Sequence, residues 1–149
     1  MVMLRPLLPI CMVVLIAACS RPAIPLLEDL NARENLSAYR IEQVRGTRDG
    51  DKLDAEATLG DGTSQLTLEM HFAIRTPTTI LTSGTWQWNR DGVTRTGDLA
   101  ERSVMFLGGQ DGPPSVGGRF DLLDSSGLHA YRVNIPTTQL KVKLALPPR

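Results

Sequence analysis

The side chains able to do covalent or metal chemistry are few and poorly placed for it. Cys11 and Cys19 are the only cysteines, and both fall within the first twenty residues. A disulfide framework or a thiolate zinc cluster in the body of the chain is therefore excluded. His71 and His129 are the only imidazoles, which rules out a multi-histidine metal centre. A catalytic histidine needs a nucleophile and an orienting acid arranged around it. The sequence has no Gly-x-Ser-x-Gly elbow, and Ser64 stands beside a turn whose local hydrogen bonding accounts for it. His71 reads as a residue on the polar face of a strand and His129 as an exposed residue just after a turn. Gly108-Gly109 is not followed by the Lys-Ser/Thr pair of a phosphate loop. Asp49, Asp51 and Asp54 crowd a turn, but the glutamate that an EF-hand-type calcium loop needs at its twelfth position is missing. The expectation is a protein without catalytic activity, metal or cofactor.

Cys19 carries the one specific chemical signal. Arg5 and the initiator amine form a minimal positive region, and Leu7 to Ala18 follow as an apolar run interrupted only by Pro9. A spanning helix needs about 20 apolar residues, so this run fits the shorter core of a secretory signal. It ends in Ile16-Ala17-Ala18-Cys19, which resembles the lipobox of bacterial lipoproteins. That resemblance covers only residues 1–20. It implies cleavage before Cys19, a diacylglycerol on its sulfur and acylation of the new amine. Two lipid signals already anchor a protein stably, so such a chain stays on the membrane. Ser20 in second position implies sorting to the outer membrane.

Composition bounds the rest. The 149 residues suit a single domain. Sixteen basic and sixteen acidic side chains cancel without blocks of either sign, which argues against nucleic acid as a partner. Ser20 to Pro25 reads as a proline-stiffened tether. Pro25 to about Arg33 has Leu26, Leu27 and Leu30 at helical spacing with Glu28 and Asp29 near the start, so a short helix is expected there.

From Tyr39 onward the pattern is β. Leu53, Ala55, Ala57 and Leu59 alternate with polar residues, and so do Leu66, Leu68, Met70, Phe72 and Ile74. Period two predicts strands with one buried and one wet face. Asp-Gly pairs at 49–50, 61–62 and 91–92 supply the positive φ angles of tight hairpins, and Asp124-Ser125-Ser126-Gly127 predicts a further turn. Other strands are expected around Tyr39–Arg45, Trp86–Trp88, Val93 and Arg95, Ser103–Leu107, Arg119–Leu123 and His129–Ile135, with Leu140–Leu146 pairing or trailing. The fold class is all-β: about eight short antiparallel strands in a small barrel or sandwich. The division is 1–18 signal peptide, 19–35 lipidated cysteine, tether and short helix, and 36–149 β-domain. Gly84-Thr85-Trp86 resembles the Gly-x-Trp signature of lipocalin-like barrels, but that family carries it on the first strand and here three precede it. The alternation itself puts Trp86 and Trp88 together on a buried face.

Thirteen arginines against three lysines fit the arginine codons that a GC-rich genome favours, and they also provide planar forks suited to carboxylates, phosphates and partner interfaces. Gly108-Gly109-Gln110-Asp111-Gly112-Pro113-Pro114-Ser115 is the longest run of turn-formers, and its glycines allow a partner to approach the backbone closely. The functional expectation is a lipid-anchored envelope protein in the outer membrane, facing the periplasm and acting as a non-catalytic binding or accessory module. Its partners would be the membrane, through the N-terminal lipid, and an envelope protein. Two alternatives stand beside it. One is an inhibitor or immunity lipoprotein that inserts the 108–115 loop into a lytic enzyme. The other is a lipocalin-like carrier of hydrophobic ligands with Phe72, Trp86, Trp88 and Tyr131 around its cavity.

Mass spectrometry of membrane-extracted protein should find Cys19 as the first residue, acylated. A soluble, unmodified chain beginning elsewhere would sink that reading. Cys19→Ala should leave the precursor uncut.

Overall fold

The computed structural model of the chain describes residues 24–75, 78–107, 115–139 and 141–144. Nine strands run in chain order: β1 Leu27–Asp29, β2 Arg40–Asp49, β3 Lys52–Gly60, β4 Ser64–Arg75, β5 Thr78–Arg90, β6 Val93–Leu107, β7 Ser115–Leu123, β8 His129–Gln139 and β9 Lys141–Leu144. They form one sheet in the order β1-β8-β7-β6-β5-β4-β3-β2-β9. β2 to β8 are an antiparallel meander, and the sheet curls into a half-barrel. The all-β expectation holds, as a single curled sheet.

The hairpins form where the Asp-Gly pairs stand. Gly50, Gly62 and Gly92 have φ of 59°, 90° and 76°, and Asp91 joins Gly92 at positive φ. Asp91 and Gly92 thus have the left-handed pair that a two-residue hairpin matching strand twist requires. Asp61 and Asp124 stabilise their turns differently. Each carboxylate accepts backbone amides ahead of it, from Thr63 and Ser64 in one case and from Ser126 and Leu128 in the other.

Alternation becomes burial as expected. Leu53, Ala57, Leu59, Leu66, Leu68, Met70 and Phe72 are at most 2% exposed. They meet Phe120, Leu122 and Val133 from the opposite wall in one hydrophobic cluster. Phe72 of β4 lies 6.4 Å from Phe120 of β7, ring to ring, so the curl brings the two walls into contact across the concave face. Trp86 buries its indole there and donates from Nε1 to the Leu123 carbonyl at 2.8 Å. Gly97 makes that bond possible: a Cβ at this position would fall 1.8 Å from the same carbonyl oxygen.

Three sequence expectations are corrected. The helix over Pro25–Arg33 is absent; its Leu27–Asp29 is a strand paired with β8, Leu27 opposite Val133 and Asp29 opposite Tyr131. The edge of β8 offers hydrogen bonds and a core position for Leu27. Asp29 then bends the chain away by accepting the amides of Asn31, Arg33 and Glu34, and Ala32 adopts a φ of 52° that no right-handed helix tolerates. The sheet thus begins before residue 36. Val93–Arg95 and Ser103–Leu107 are two parts of one long strand, interrupted by a register shift between Glu101 and Ser103. The Trp86–Trp88 strand extends back to Thr78 along β4.

Phe72→Ala should cost about 3–5 kcal/mol because it empties the contact between the walls. Glu69→Ala, on the outer face, should change stability by roughly 0.5 kcal/mol or less. Denaturant melts with reversed sensitivities would show the two faces to be assigned wrongly.

Candidate functional site

The ends of the half-barrel differ. At one end lie the β3–β4, β5–β6 and β7–β8 turns, together with residues 30–39 crossing from β1 to β2. Leu36 and Tyr39, 5% and 1% exposed, plug the core at this end. The Tyr39 hydroxyl lies 2.6 Å from Ser64 Oγ, which also bonds to Asp61. Ser64 is thus committed to turn chemistry, as its position predicted. Burial raises the Tyr39 pKa, against lowering by the Ser64 hydrogen bond. The turn amides of Ser64 and Thr63 hold the Asp61 carboxylate well below the usual carboxylate range.

Above this plug is a mouth. Tyr131 stands edge-on to Trp88 at 5.0 Å and to Trp86 at 6.5 Å, forming a packed aromatic floor. The Arg95 guanidinium lies over the Trp88 ring, 5.6 Å from its centroid, and donates to the Tyr131 hydroxyl at 3.1 Å. Arg90 pairs with Glu34 at 3.1 Å, fixing the crossing segment to the β5–β6 turn. A cavity of about 550 Å³ opens here, with Arg33, Glu34, Trp86, Arg95 and Tyr131 in its lining. A smaller one of about 160 Å³ adjoins it beside Trp88, Arg90 and Val93. The acidic groups in the mouth have local duties. Asp29 caps three amides, Asp124 caps the β7–β8 turn and Glu34 pairs with Arg90. Arg95, by contrast, has a neutral hydroxyl and an aromatic face as its partners. Burial, and after it the charge of Glu34, raises the Tyr131 pKa, so the hydroxyl is a neutral partner for Arg95 at ordinary pH.

The sequence candidates are scattered around this site rather than gathered in it. Cys19 and residues 108–114 lie outside the described residues; Ser115 opens β7, opposite Leu107 and Gln139. His71 is half exposed on the outer face of β4 and contacts Asp54 at 2.6 Å. Asp49 and Asp51 are exposed at the β2–β3 turn. Trp86, Trp88 and Tyr131 come together, while Phe72 belongs to the contact with Phe120.

His129 joins a cluster that the sequence did not announce. Asp121, on the outer face of β7, is 1% exposed. Arg102 Nε reaches it at 2.5 Å, Arg132 Nε at 2.8 Å and His129 Nδ1 at 3.1 Å. The two long arginine side chains cover the carboxylate and neutralise it. Burial opposes ionisation of Asp121, but the hydrogen bonds from Arg102 and Arg132 outweigh it and hold the pKa below its ordinary value. This arrangement braces β6, β7 and β8 from outside.

No family model matches the chain, and no match emerges among curated proteins or solved structures.

A carboxylate with a lowered folded-state pKa adds stability above the unfolded-state pKa of about 3.9, and that stability is lost as pH falls through the folded value. Asp121→Asn should therefore lower stability at neutral pH by about 1–3 kcal/mol. It should also flatten the acid loss of stability below about pH 4. An unchanged slope in urea melts across that range would show that the cluster contributes nothing to acid sensitivity.

Proposed function

We propose that this protein is a lipid-anchored component of the bacterial envelope. It faces the periplasm from the outer membrane, works by binding rather than catalysis, and uses the mouth as its recognition surface. The observation that carries the reading is the setting of Arg95, a guanidinium whose partners among the described residues are a neutral hydroxyl and an aromatic face, over an aromatic floor at the rim of a cavity of about 550 Å³. That size lies in the range of ligand sites, roughly 300–1,000 Å³, and barrel mouths are one of their usual places. A guanidinium already held by stacking loses little freedom when it meets a planar anionic group.

The filled concave face favours recognition at the rim over carriage of a ligand inside. Phe72, Trp86, Trp88 and Tyr131 are all at most 7% exposed and pack against one another or against Phe120. Neither histidine lies in the mouth, and neither has a nucleophile beside it among the described contacts.

Capture from envelope extracts tests the assignment. A partner or ligand retained by the anchored protein should be lost with Arg95→Ala and weakened with Arg33→Ala, while His71→Ala and His129→Ala retain it. Replacing residues 108–115 by a short Gly-Ser link should leave capture intact. Capture that survives Arg95→Ala but fails with the loop replacement would move recognition to the 108–115 loop.

A further inference from the structure

The end opposite the mouth has a different character, and the chain enters the domain beside it. The Pro25 carbonyl accepts from Asn134 Nδ2 at 2.8 Å, and the Leu26 carbonyl accepts from the Asn134 amide at 2.7 Å. Leu27 is 2% exposed. The tether is therefore fixed to the outer edge of β8 from Pro25 onward, with β1 running towards the mouth and Ile24 pointing the chain back towards the other end. Only four residues lie between Cys19 and Ile24, so the five steps between them reach at most about 18 Å.

That end is apolar beside the tether and carries an arginine there. Ile24 is 61% exposed and shares a groove of about 410 Å³ with Leu26, Val104, Ile135, Pro136 and Arg119. Arg119, mid-strand on β7, is the one charged residue among those lining that groove, while at the strand ends beyond it Arg48, Lys52 and Arg75 are matched by Asp49, Asp51 and Asp54. On the β6–β8 wall Glu101 sits opposite Phe120 and accepts from the Leu81 amide at 2.7 Å, while Asp98, opposite Leu123, lies nearer the mouth.

We propose that the end bearing Ile24 and Arg119 seats against the anionic phospholipid headgroups of the membrane holding the protein, so that the mouth faces away from the bilayer. This rests on the reading of Cys19 as lipidated. The short reach brings this end to the surface, and an exposed isoleucine beside an arginine suits the boundary between acyl chains and phosphates. Arg119, in a groove whose lining has no carboxylate, is attracted by anionic lipid.

Fluorescence quenching of the full acylated protein tests the orientation. Ser103→Cys and Ser125→Cys place one label near each end, since the acyl chain occupies Cys19. The protein is reconstituted in phosphatidylcholine vesicles containing phosphatidylglycerol and a headgroup nitroxide. Quenching at position 103 should exceed that at 125 several-fold. The difference should shrink in high salt, without phosphatidylglycerol, or with Ile24→Ser combined with Arg119→Glu. Equal quenching at both positions, stronger quenching at 125, or a difference indifferent to phosphatidylglycerol would overturn the proposal. So would an orientation that forms only after envelope protein is added. The mass of the same preparation separates the two readings. Unacylated protein that fails to attach would sink the anchor itself, whereas acylated, attached protein with equal quenching would sink only the orientation.

Discussion

An odd number of strands governs this fold. The meander from β2 to β8 has seven members, so its first and last strands run in the same direction and no further antiparallel pairing between them can close the sheet. The chain meets the constraint in two pieces. At one end β8 passes within one residue into β9, which pairs parallel to β2 from Arg45 to Arg48. At the other, β1 covers the edge of β8, and Leu36 and Tyr39 fill what remains of the opening. Unpaired strand edges invite association with other chains, and these short segments shorten the edge that stays open. The mouth, the tether and their opposite positions all follow from this arrangement.

Packing then turns a curled sheet into a rigid scaffold. The contact between Phe72 and Phe120 joins walls that are distant along the sheet, and the aromatic group of Trp86, Trp88 and Tyr131 does the same nearer the mouth. The outer surface has its own brace, in which one carboxylate on β7 holds arginines from β6 and β8. Several of the numerous arginines are used in this way. Arg45 pairs with Glu56 and Arg90 with Glu34, and Arg40 donates to the carbonyls of Ser37 and Tyr39.

Local features of the sequence were legible because they report local physics. Asp-Gly pairs mark hairpins through backbone geometry, and the runs at 53–59 and 66–72 mark their buried faces through period two. The first half of β5 was not visible, since Thr78 to Ser83 pairs with β4 but covers little core, its residues alternating only between exposed and half-buried. Asp121 was hidden for the opposite reason. Its place in the alternation is that of a surface residue, and only arginines from neighbouring strands bury it. The mouth is assembled from residues 29–36, 86–95 and 124–131, so no single window contains it. Arg90 and Arg95 are two among thirteen arginines in the sequence, and only the fold groups them with Glu34 and Tyr131. β1 was misread because Leu26, Leu27 and Leu30 satisfy a helical spacing, whereas the free edge of β8 that captures them is encoded about a hundred residues away.

That last pairing sets an order of assembly. In a chain that emerges amino end first, each hairpin from β2 to β7 has its partner at hand soon after synthesis, and such near-neighbour contacts form quickly. β1 belongs to the earliest segment but must wait for β8, the last long strand, and β9 completes the edge of β2 only after that. The stretch next to the tether is therefore the last to lock. Until the carboxyl-terminal strands arrive, Leu27 has no core position and the edge of β2 has no cover, so late truncations would leave a nearly complete meander that cannot secure its own beginning.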